Sequence, residues 1–310
     1  MFPKVSVIIP VFNRANLIVR ALDSVVSQTV KPYELIVVDN GSDDSTYEIV
    51  LRWINKNKNS GIKYKLLTEH IKGASAARRK GQECSEGDFL YFFDSDDEMK
   101  PDLVKEATSK ILKEPDIDLV CWRALINCVN EQKRVPPFNP EKPLENHLIH
   151  SLLRTQGYMV RKSFLEKCGG WSKDLAVWND LELGFRLLLL NPKIIGIDKN
   201  LVEIFAQKDS ITGITFSSKE GVWENTLNEM DKVNHSFFHP QQDKVKNILN
   251  YRRAVLAAQY YIEGNKKGAK KLMNVLINPL SNKEKYLLNF VYTYTKLGFR
   301  GAWRLVRFAY

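Results

Sequence analysis

The chain has 310 residues, of which 44% are hydrophobic and 26% charged; this composition is typical of globular proteins and excludes a largely disordered chain. Its net charge of +10 is unevenly distributed. Residues 265–310 contain ten basic residues and one acidic residue, so this segment carries +9 and the rest of the chain only about +1.

The four cysteines, Cys84, Cys121, Cys128 and Cys168, form no C-x-x-C pair and have no histidine at a metal-like spacing. The sequence therefore predicts neither a zinc site nor disulfide bonds, and it favours a reducing, cytoplasmic compartment. The first residues are apolar but lack a basic region and a cleavage site, so we interpret them as a buried strand and not as a signal peptide. No uncharged apolar run approaches the ~20 residues that cross a bilayer.

Short apolar runs alternate with segments of helical periodicity from the start of the chain. The predicted strands cover residues 4–11, 33–39, 62–68 and 88–94, and the predicted helices cover 15–28, 45–57, 73–85 and 102–113. Strands that alternate with helices of this length form parallel βαβ units. The predicted fold class is therefore α/β, with a doubly wound, mostly parallel sheet flanked by helices.

Composition and proline content also predict the domain boundaries. A proline-rich stretch at 134–143 divides a first domain, residues 1–215, into halves of residues 1–130 and 131–215. From about Gly221 the pattern is wholly helical, so residues 216–310 are predicted to form a basic, helical C-terminal region.

Ligands of open α/β sheets collect at the carboxyl ends of the strands, which are predicted here at residues 10–13, 39–42 and 94–97. In the last of these, Asp94, Asp96, Asp97 and Glu98 follow an apolar run directly. Such a cluster is either a solvated turn or a site for a cation such as Mg²⁺ or Mn²⁺ that is shared with substrate phosphates. The D-x-D spacing alone does not decide between them.

The segment DNGSDDS at residues 39–45 strengthens the ligand interpretation, because it follows another strand and combines a glycine turn with an aspartate. No G-x-G-x-x-G or Walker loop accompanies it, which disfavours a dinucleotide or P-loop site. What remains is a nucleotide held by side chains and a metal-bridged diphosphate.

Five segments, taken together, resemble the family 2 glycosyltransferases, which have the GT-A fold and use nucleotide-sugar donors. The segments are VSVIIPVFNR, IVVDNGSDDST, GASAARRKG, GDFLYFFDSDD and WNDLELGFRL, in the family's order and at similar separations. The resemblance covers residues 4–206, and the combined match is specific although each segment alone is not. It implies a nucleotide-binding half at 1–130 and an acceptor-side half at 131–215.

The resemblance also implies roles for individual residues. Asp39 matches the residue that reads the uracil ring, Arg78 lies in the motif whose basic residue holds the nucleotide, and Asp94 corresponds to the acid nearest the ribose. Asp96 corresponds to the ligand of a divalent metal, Mn²⁺ or Mg²⁺, which neutralises charge on the leaving diphosphate. The residues expected to bind the UDP-sugar are Pro10, Val11, Phe12, Asn13, Asp39, Gly73, Arg78, Asp94 and Ser95.

Asp180 matches the family's catalytic base, which takes the proton from an acceptor hydroxyl as that oxygen attacks the anomeric carbon in a single, inverting displacement. An acidic residue near a helix N-terminus can also serve only to stabilise the helix, and Asn179 and Glu182 have the spacing of a capping box. Trp178 and Asn179 are candidates for acceptor contacts, although core packing is the commoner role of a tryptophan.

Two positions depart from the family pattern. Arg79 stands where the family often has asparagine, so an additional positive charge either contacts the donor diphosphate or faces solvent. Lys208 lies where some members place a histidine ligand; it could pair with the diphosphate directly, which weakens the argument for a strict metal requirement. The Q-x-x-R-W signature of processive members is absent, which favours transfer of a single sugar. His147 and His150 lack further ligands and are assigned no role.

Residues 296–310 predict an amphipathic helix with a basic stripe and an adjoining aromatic stripe. The stripes consist of Lys296, Arg300, Arg304 and Arg307, and of Phe299, Trp303 and Tyr310. Such a helix either lies on an anionic membrane, here the inner face of the plasma membrane, or packs as a solvated helix. No nucleic-acid-binding module accompanies it, so nucleic acid is not a predicted partner.

The sequence therefore predicts an inverting, metal-assisted glycosyltransferase that moves one sugar from a UDP-sugar to a hydroxyl of a glycan or lipid-linked acceptor in cell-surface polysaccharide synthesis. The alternative is a catalytically inactive, glycosyltransferase-like nucleotide-binding or scaffold protein, which Lys208 in place of histidine keeps open. A nucleotidyltransferase is disfavoured because the segment after the first strand, PVFNRAN, is not a Gly-rich basic loop.

Overall fold

The computed structural model describes residues 3–127, 133, 135–206, 216–237, 239–277 and 280–299. The chain divides into two compact units, Met1–Gln207 and Lys208–Tyr310. The domain boundary predicted at 215/216 falls at the end of a segment outside the described ranges, and it stays a prediction.

The first unit is built on one sheet. Its strands are β1 (Val5–Val11), β2 (Glu34–Asp39), β3 (Lys63–Thr68), β4 (Phe89–Phe92), β5 (Glu98–Met99), β6 (Leu119–Asn127), β7 (Tyr158–Arg161) and β8 (Ile194–Phe205). Their order across the sheet is β3-β2-β1-β4-β7-β6-β8-β5. The pairs β1–β2, β1–β4, β2–β3 and β6–β8 are parallel, whereas β4–β7, β6–β7 and β5–β8 are antiparallel. The predicted fold class is confirmed; every antiparallel pair involves β5 or β7, two strands that the sequence pattern did not predict.

Helices flank this sheet on both faces. They are α1 (Ile18–Val26), α2 (Thr46–Asn57), α3 (Ala74–Glu83), α4 (Leu103–Lys113), α5 (Pro143–His150), α6 (Lys162–Lys167) and α7 (Asn179–Leu189). Every residue of β1 is buried, with Val7 and Ile9 in one hydrophobic core and Ile8 in the other. Burial on both faces explains why the strand has a continuous apolar sequence. The parallel pairing also brings the carboxyl ends of β1, β2 and β4 to one edge of the sheet.

The second unit is helical throughout its described part, which confirms the predicted helical extension. Its helices are α8 (Val222–Ser236), α9 (Gln242–Ile262), α10 (Lys266–Ile277) and α11 (Asn282–Lys296). Arg300, Arg304 and Arg307 of the predicted basic stripe, and Trp303 and Tyr310 of the aromatic stripe, lie outside the described residues. Within the described ranges, no helix is long and apolar enough to cross a membrane.

Candidate functional site

The loop after β1 is joined to the loop after β2 by a reciprocal pair of hydrogen bonds. Asn13 Nδ2 donates to Asp43 Oδ1 over 2.6 Å, and the Asp43 N–H donates back to Asn13 Oδ1 over 3.0 Å. The Asn13 N–H donates to Ser42 Oγ and the Arg14 N–H to Thr46 Oγ1, over 3.0 and 2.8 Å. Asn13 has a φ of 51°, a left-handed conformation that asparagine adopts more readily than most residues. These contacts hold the two strand ends in one arrangement.

Asp39, at the end of β2, is 4% exposed, and the residues that the structure describes donate hydrogen bonds to only one of its carboxylate oxygens. Its Oδ2 accepts hydrogen bonds from the Gly41 and Ser42 N–H groups, each over 3.1 Å. Its Oδ1 is buried and accepts none from the residues that the structure describes. A buried acceptor without a donor costs free energy, so this oxygen is suited to receive a hydrogen bond from a bound ligand.

Asn40 connects the end of β2 to the segment that leads into α3. Its Nδ2 donates to the Glu69 and Ile71 carbonyls over 2.9 and 2.8 Å, and its Oδ1 accepts from the Gly73 N–H over 2.7 Å. Gly73 has a φ of +123°, a backbone conformation that residues other than glycine rarely adopt. Gly73 is among the predicted donor-binding residues, whereas Asn40 is not, although it lies in the segment DNGSDDS at residues 39–45.

The other predicted donor-binding residues differ in exposure. Pro10 and Val11 are buried inside β1, and Ser95 is buried after β4. Phe12, which follows β1 directly, is 49% exposed. Among these four positions, only Phe12 presents a large apolar surface to solvent at the edge where β1 and β2 end.

The acidic cluster after β4 is held by hydrogen-bond donors from distant parts of the chain. Asp94 Oδ1 pairs with Arg78 over 2.7 Å, and Asp94 Oδ2 accepts a hydrogen bond from Gln156 Nε2. The same Gln156 nitrogen donates to Asp97 Oδ2 over 2.7 Å, and Asp97 Oδ1 accepts from the Phe205 N–H over 3.0 Å. No sequence motif identifies Gln156, which lies in a 3₁₀ turn before β7.

Asp96, the predicted metal ligand, faces two arginines that the sequence analysis did not single out. Its Oδ2 lies 3.9 Å from Arg14 Nε, and Arg20 donates a hydrogen bond to its carbonyl. Burial and the Asp94 charge raise the pKa of Asp96, whereas Arg14 opposes that shift. Burial and the two neighbouring acids raise the pKa of Asp97 well above its usual range. Arginines therefore lie among the acids of this cluster, which is a built site and not a freely solvated turn.

A divalent metal at this site would have few ligands from the protein itself. Within the described residues there is no group of three or more His, Cys, Asp or Glu side chains arranged to hold a metal. Asp96 is a carboxylate at the predicted position, and Mg²⁺ sites commonly combine one or two carboxylates with substrate phosphates. Lys208, which lies where some members of the family have a histidine ligand, is outside the described residues. Metal binding stays a prediction.

Asp180 lies in the first turn of α7, half-buried, and its Oδ1 accepts the Leu181 N–H over 2.9 Å. Burial raises its pKa, the Arg78 charge lowers it, and the Asp94 charge raises it. The Asp180 charge in turn adds to the effect of burial in raising the pKa of Tyr158. The structure thus brings Asp180 to the same neighbourhood as the Arg78–Asp94 pair, from a segment about ninety residues away.

The capping box predicted at the start of α7 does not form. The N-cap residue is Trp178, with a φ of 48°, and no side chain caps the helix. Glu182 pairs with Arg186 instead, over 2.9 Å, and Arg186 also donates to two carbonyls in the loop of residues 168–170. Trp178 and Asn179 are half-buried beside Asp180, and their acceptor contacts stay predictions.

His147 is a buried structural residue that holds α7. Its Nε2 contacts the Leu181 carbonyl over 2.8 Å, and its Nδ1 accepts the Leu153 N–H over 3.1 Å, so the proton lies on Nε2. A Cβ at Gly184 would lie 2.4 Å from the imidazole ring, so only glycine lets the ring approach α7 this closely. The histidine acts on the neighbourhood of Asp180 by packing and is not a ligand.

Arg79 contacts the loop that precedes α7. Its guanidinium donates to the Gly169 and Trp171 carbonyls over 2.9 and 3.2 Å and pairs with Glu83. Arg78, one residue earlier, stacks its guanidinium 4.7 Å from the Trp171 ring centre. The two arginines of α3 therefore have different partners: Arg78 pairs with Asp94, and Arg79 bonds the loop that precedes α7. A diphosphate contact by Arg79 stays a prediction.

Comparison with known proteins places the chain in a family. A family model described as glycosyl transferase family 2 matches residues 6–168, more than half of the chain. The chain therefore belongs to glycosyl transferase family 2. The match includes the loops after β1, β2 and β4, and Asp180 lies beyond its end.

Curated relatives carry several glycosyltransferase names. The chain is 31% identical to the cholesterol galactosyltransferase of Borreliella burgdorferi, over 84% of this chain and 76% of that protein. It is 32% identical to glycosyltransferase AglE of Haloferax volcanii, but the alignment spans only 59% of that relative's length and 58% of this chain. A Campylobacter jejuni GalNAc(5)-diNAcBac-PP-undecaprenol beta-1,3-glucosyltransferase is 36% identical over 31% of each chain.

Solved structures share the fold at low sequence identity. S. aureus TarS 1-349 in complex with UDP-GlcNAc superposes with a TM-score of 0.69 and 17% identity, covering 96% of this chain and 92% of that one. Mannosyltransferase PcManGT from Pyrobaculum calidifontis, in complex with GDP-Man and Mn²⁺, gives a TM-score of 0.59 and 19% identity, covering 100% and 84%. These likenesses confirm the predicted GT-A fold.

Proposed function

We propose that this chain is an inverting glycosyltransferase that transfers a single sugar from a UDP-sugar to a hydroxyl of a glycan or lipid-linked acceptor. The observation that carries the proposal is that α3 connects the two sides of the site: Arg78 pairs with Asp94 after β4 and Arg79 bonds the loop that precedes α7. The charges of Arg78 and Asp94 both act on Asp180 in the first turn of α7. A proton acceptor and a nucleotide-binding group are both needed within one site for this reaction.

The unpartnered Oδ1 of Asp39 supports a uracil nucleotide as the donor's base. Uracil carries a ring N–H that this oxygen can accept, and the Gly41 and Ser42 N–H groups already hold the other oxygen in place. The TarS structure, which shares the fold, is in complex with UDP-GlcNAc. The sugar itself is left open between hexoses and their N-acetylated forms.

Asp96 would hold the divalent metal, with the donor diphosphate supplying most of the remaining ligands. Asp94 and Asp97 have their oxygens engaged by Arg78, Gln156 and a backbone N–H, so Asp96 is the aspartate of the three best placed to take a new cation. When bound, the metal neutralises charge on the leaving diphosphate. PcManGT, a structural neighbour, is in complex with Mn²⁺.

Asp180 is the proposed general base. The acceptor hydroxyl oxygen attacks the anomeric carbon while the bond from that carbon to the UDP oxygen breaks, and Asp180 receives the hydroxyl proton. Burial raises the pKa of Asp180, which makes its carboxylate a better proton acceptor, and Arg78 keeps that shift from becoming too large. A single displacement of this kind inverts the anomeric configuration.

The membrane contact predicted for residues 296–310 lies mostly outside the described residues, but the preceding helix α11 also has a surface suited to the cytoplasmic face of a membrane, where a lipid-linked acceptor would lie. Tyr286 and Phe290 are exposed one helical turn apart, Leu297 and Phe299 are exposed at the end of the helix, and Lys283 is exposed at its start. Aromatic side chains beside basic ones favour the interface of an anionic bilayer. Sedimentation with anionic vesicles should be weakened in the double variant Tyr286→Ser/Phe290→Ser, and equal sedimentation of both proteins would contradict membrane docking here.

The test of the proposed function is UDP release from a panel of UDP-sugars, with Mn²⁺ or Mg²⁺ and with EDTA, for the wild type and Asp96→Ala. We expect turnover with one sugar that EDTA and the substitution both abolish. Binding of UDP without consumption of any UDP-sugar would instead support the inactive scaffold. Turnover that EDTA leaves unchanged would remove the metal from the mechanism but keep the transferase.

A further inference from the structure

We infer that Gln156 is a positioning residue for the donor site, and this inference rests on the proposed function. It holds two carboxylates of the acidic cluster together without neutralising them. The juxtaposition of one amide nitrogen with two acids from the same loop is the observation behind it.

The Gln156 side chain is locked in place from both ends. It is 8% exposed, in the 3₁₀ turn Thr155–Gly157. Its backbone carbonyl accepts hydrogen bonds from Tyr91 Oη over 3.1 Å and from Trp122 Nε1 over 2.9 Å. Those two rings pack edge to face, with centres 5.2 Å apart, on β4 and β6, the strands that flank β7. The backbone at Gln156 is therefore fixed, and this directs the side-chain amide towards the acidic cluster.

Each hydrogen of the Gln156 Nε2 group has its own acceptor, Asp94 Oδ2 and Asp97 Oδ2. The second oxygen of each acid is held separately, by Arg78 for Asp94 and by the Phe205 N–H for Asp97. Loss of the amide would leave the buried Asp97 and the partly exposed Asp94 facing each other without their shared donor, and a movement of Asp94 would carry Arg78 with it.

The chemistry of an amide suits this position better than that of a cation. Arginine or lysine would supply hydrogen bonds together with a positive charge and would weaken attraction for Mn²⁺ or Mg²⁺ at the adjacent Asp96. Glutamine supplies the hydrogen bonds alone and adds no positive charge where a metal and diphosphate would bind. Gln156 acts through Asp94, Asp97 and Arg78 and need not touch the donor.

The test is calorimetric titration of UDP into the full-length protein, with and without Mn²⁺, for the wild type, Gln156→Met and Gln156→Asn. Methionine keeps the length and removes both donors; asparagine keeps the amide but is one methylene short. We expect Gln156→Met to bind UDP about tenfold to a hundredfold more weakly in Mn²⁺ and Gln156→Asn to be intermediate, as loss of hydrogen bonds to charged groups implies. The benefit of Mn²⁺, measured as the ratio of the two Kd values, should shrink in the same order.

Gln28→Met is the matched control. Gln28 is also fully buried, and within the described part of the chain its amide bonds backbone groups alone, the Ser24 and Lys100 carbonyls and the Val104 N–H. It should lose stability yet keep the wild-type Mn²⁺ ratio. A merely structural role for Gln156 would give the same pattern and would overturn the inference.

The outcomes separate this inference from the proposed function. If Gln156→Met does not fold, Gln156→Asn carries the comparison. Wild-type affinity and an unchanged Mn²⁺ ratio in the folded variant would overturn the role of Gln156, while UDP-sugar turnover by the wild type would keep the proposed function. A wild type that binds no UDP would overturn both.

Discussion

The donor edge and the base side of the first unit are held together in different ways. We use donor edge for the loops after β1 and β2, and base side for α7 with residues 168–171. At the donor edge, residues inside the motifs bond one another, as Asn13 does with Asp43 and Asp39 with Gly41. At the base side, α7 is held by residues from other elements, chiefly His147 and, through residues 168–171, Arg79. A motif predicts geometry well only where its own residues supply the contacts.

Loss of the base should have the largest effect on turnover. Asp180→Asn keeps the shape and the acceptor oxygen near Leu181 but cannot take a proton, so we expect UDP-sugar turnover to fall about 10²- to 10⁴-fold. UDP affinity should stay at the wild-type value, because Asp39 and the acidic cluster are untouched. Turnover is measured as UDP release and affinity by calorimetry. Undiminished turnover would remove Asp180 from the mechanism.

At the donor edge, Asp39→Asn should weaken binding and leave the chemical step alone. The two loop N–H groups retain one amide oxygen, so the other position becomes an NH₂ group that cannot accept the uracil N–H. We expect the Kd for UDP to rise about tenfold to a hundredfold. The affinity for CDP, whose ring nitrogen is an acceptor, should fall less than the affinity for UDP. An equal loss for both nucleotides would show that Asp39 does not read the base.

Two glycines offer a matched pair across the comparison. A Cβ would lie 2.4 Å from the His147 ring at Gly184 and 2.4 Å from Ile8 Cγ2 at Gly81. Each change to alanine overpacks a helix and should lower the free energy of unfolding by about 1–3 kcal/mol. Gly184→Ala should lower kcat because it displaces α7, which carries Asp180. Gly81→Ala should raise KM because it displaces α3, which carries Arg78. Denaturation curves measure the loss of stability, and steady-state kinetics measure kcat and KM. If the two variants changed kcat and KM in the same way, the distinction between the donor edge and the base side would be wrong.

The pKa of Asp180 predicts the acid side of the pH profile. Burial raises that pKa, and Arg78 and Arg154 lower it. Because the base must be ionised, kcat/KM should fall about tenfold per pH unit below the raised pKa. Arg154→Met removes a positive charge, which raises the pKa further and should move this limb to higher pH. If the acid side of the pH profile did not move in Arg154→Met, a group other than Asp180 would be responsible for it.

Arg79→Met should have the smallest effect. The guanidinium is partly exposed and bonds two loop carbonyls, so its loss should cost about 1 kcal/mol or less of stability. The KM for the UDP-sugar should be unchanged if the carbonyls are its main partners. A clear rise in KM, with Arg79→Lys restoring it, would favour the alternative contact with the diphosphate.

Sequence patterns predicted β1 to β4, the helices between them and the edge where polar loops meet. They missed β5 to β8, of which β5 and β7 have only two and four residues and pair antiparallel, outside the βαβ pattern. The capping box was wrong because Glu182 had a better partner in Arg186, where two opposite charges meet one helical turn apart. Spacing alone could not reveal that competition.

The sequence by itself determined the α/β class and the motifs of glycosyl transferase family 2, because those depend on local periodicity and on residues close together in the chain. Only the tertiary structure decided what sits among the acids after β4. Arg14, Arg20, Arg78 and Gln156 reach them from three other segments, and hydrogen bonds across such separations leave no periodic signal. Repulsion among like charges required partners, and folding selected which residues would be those partners.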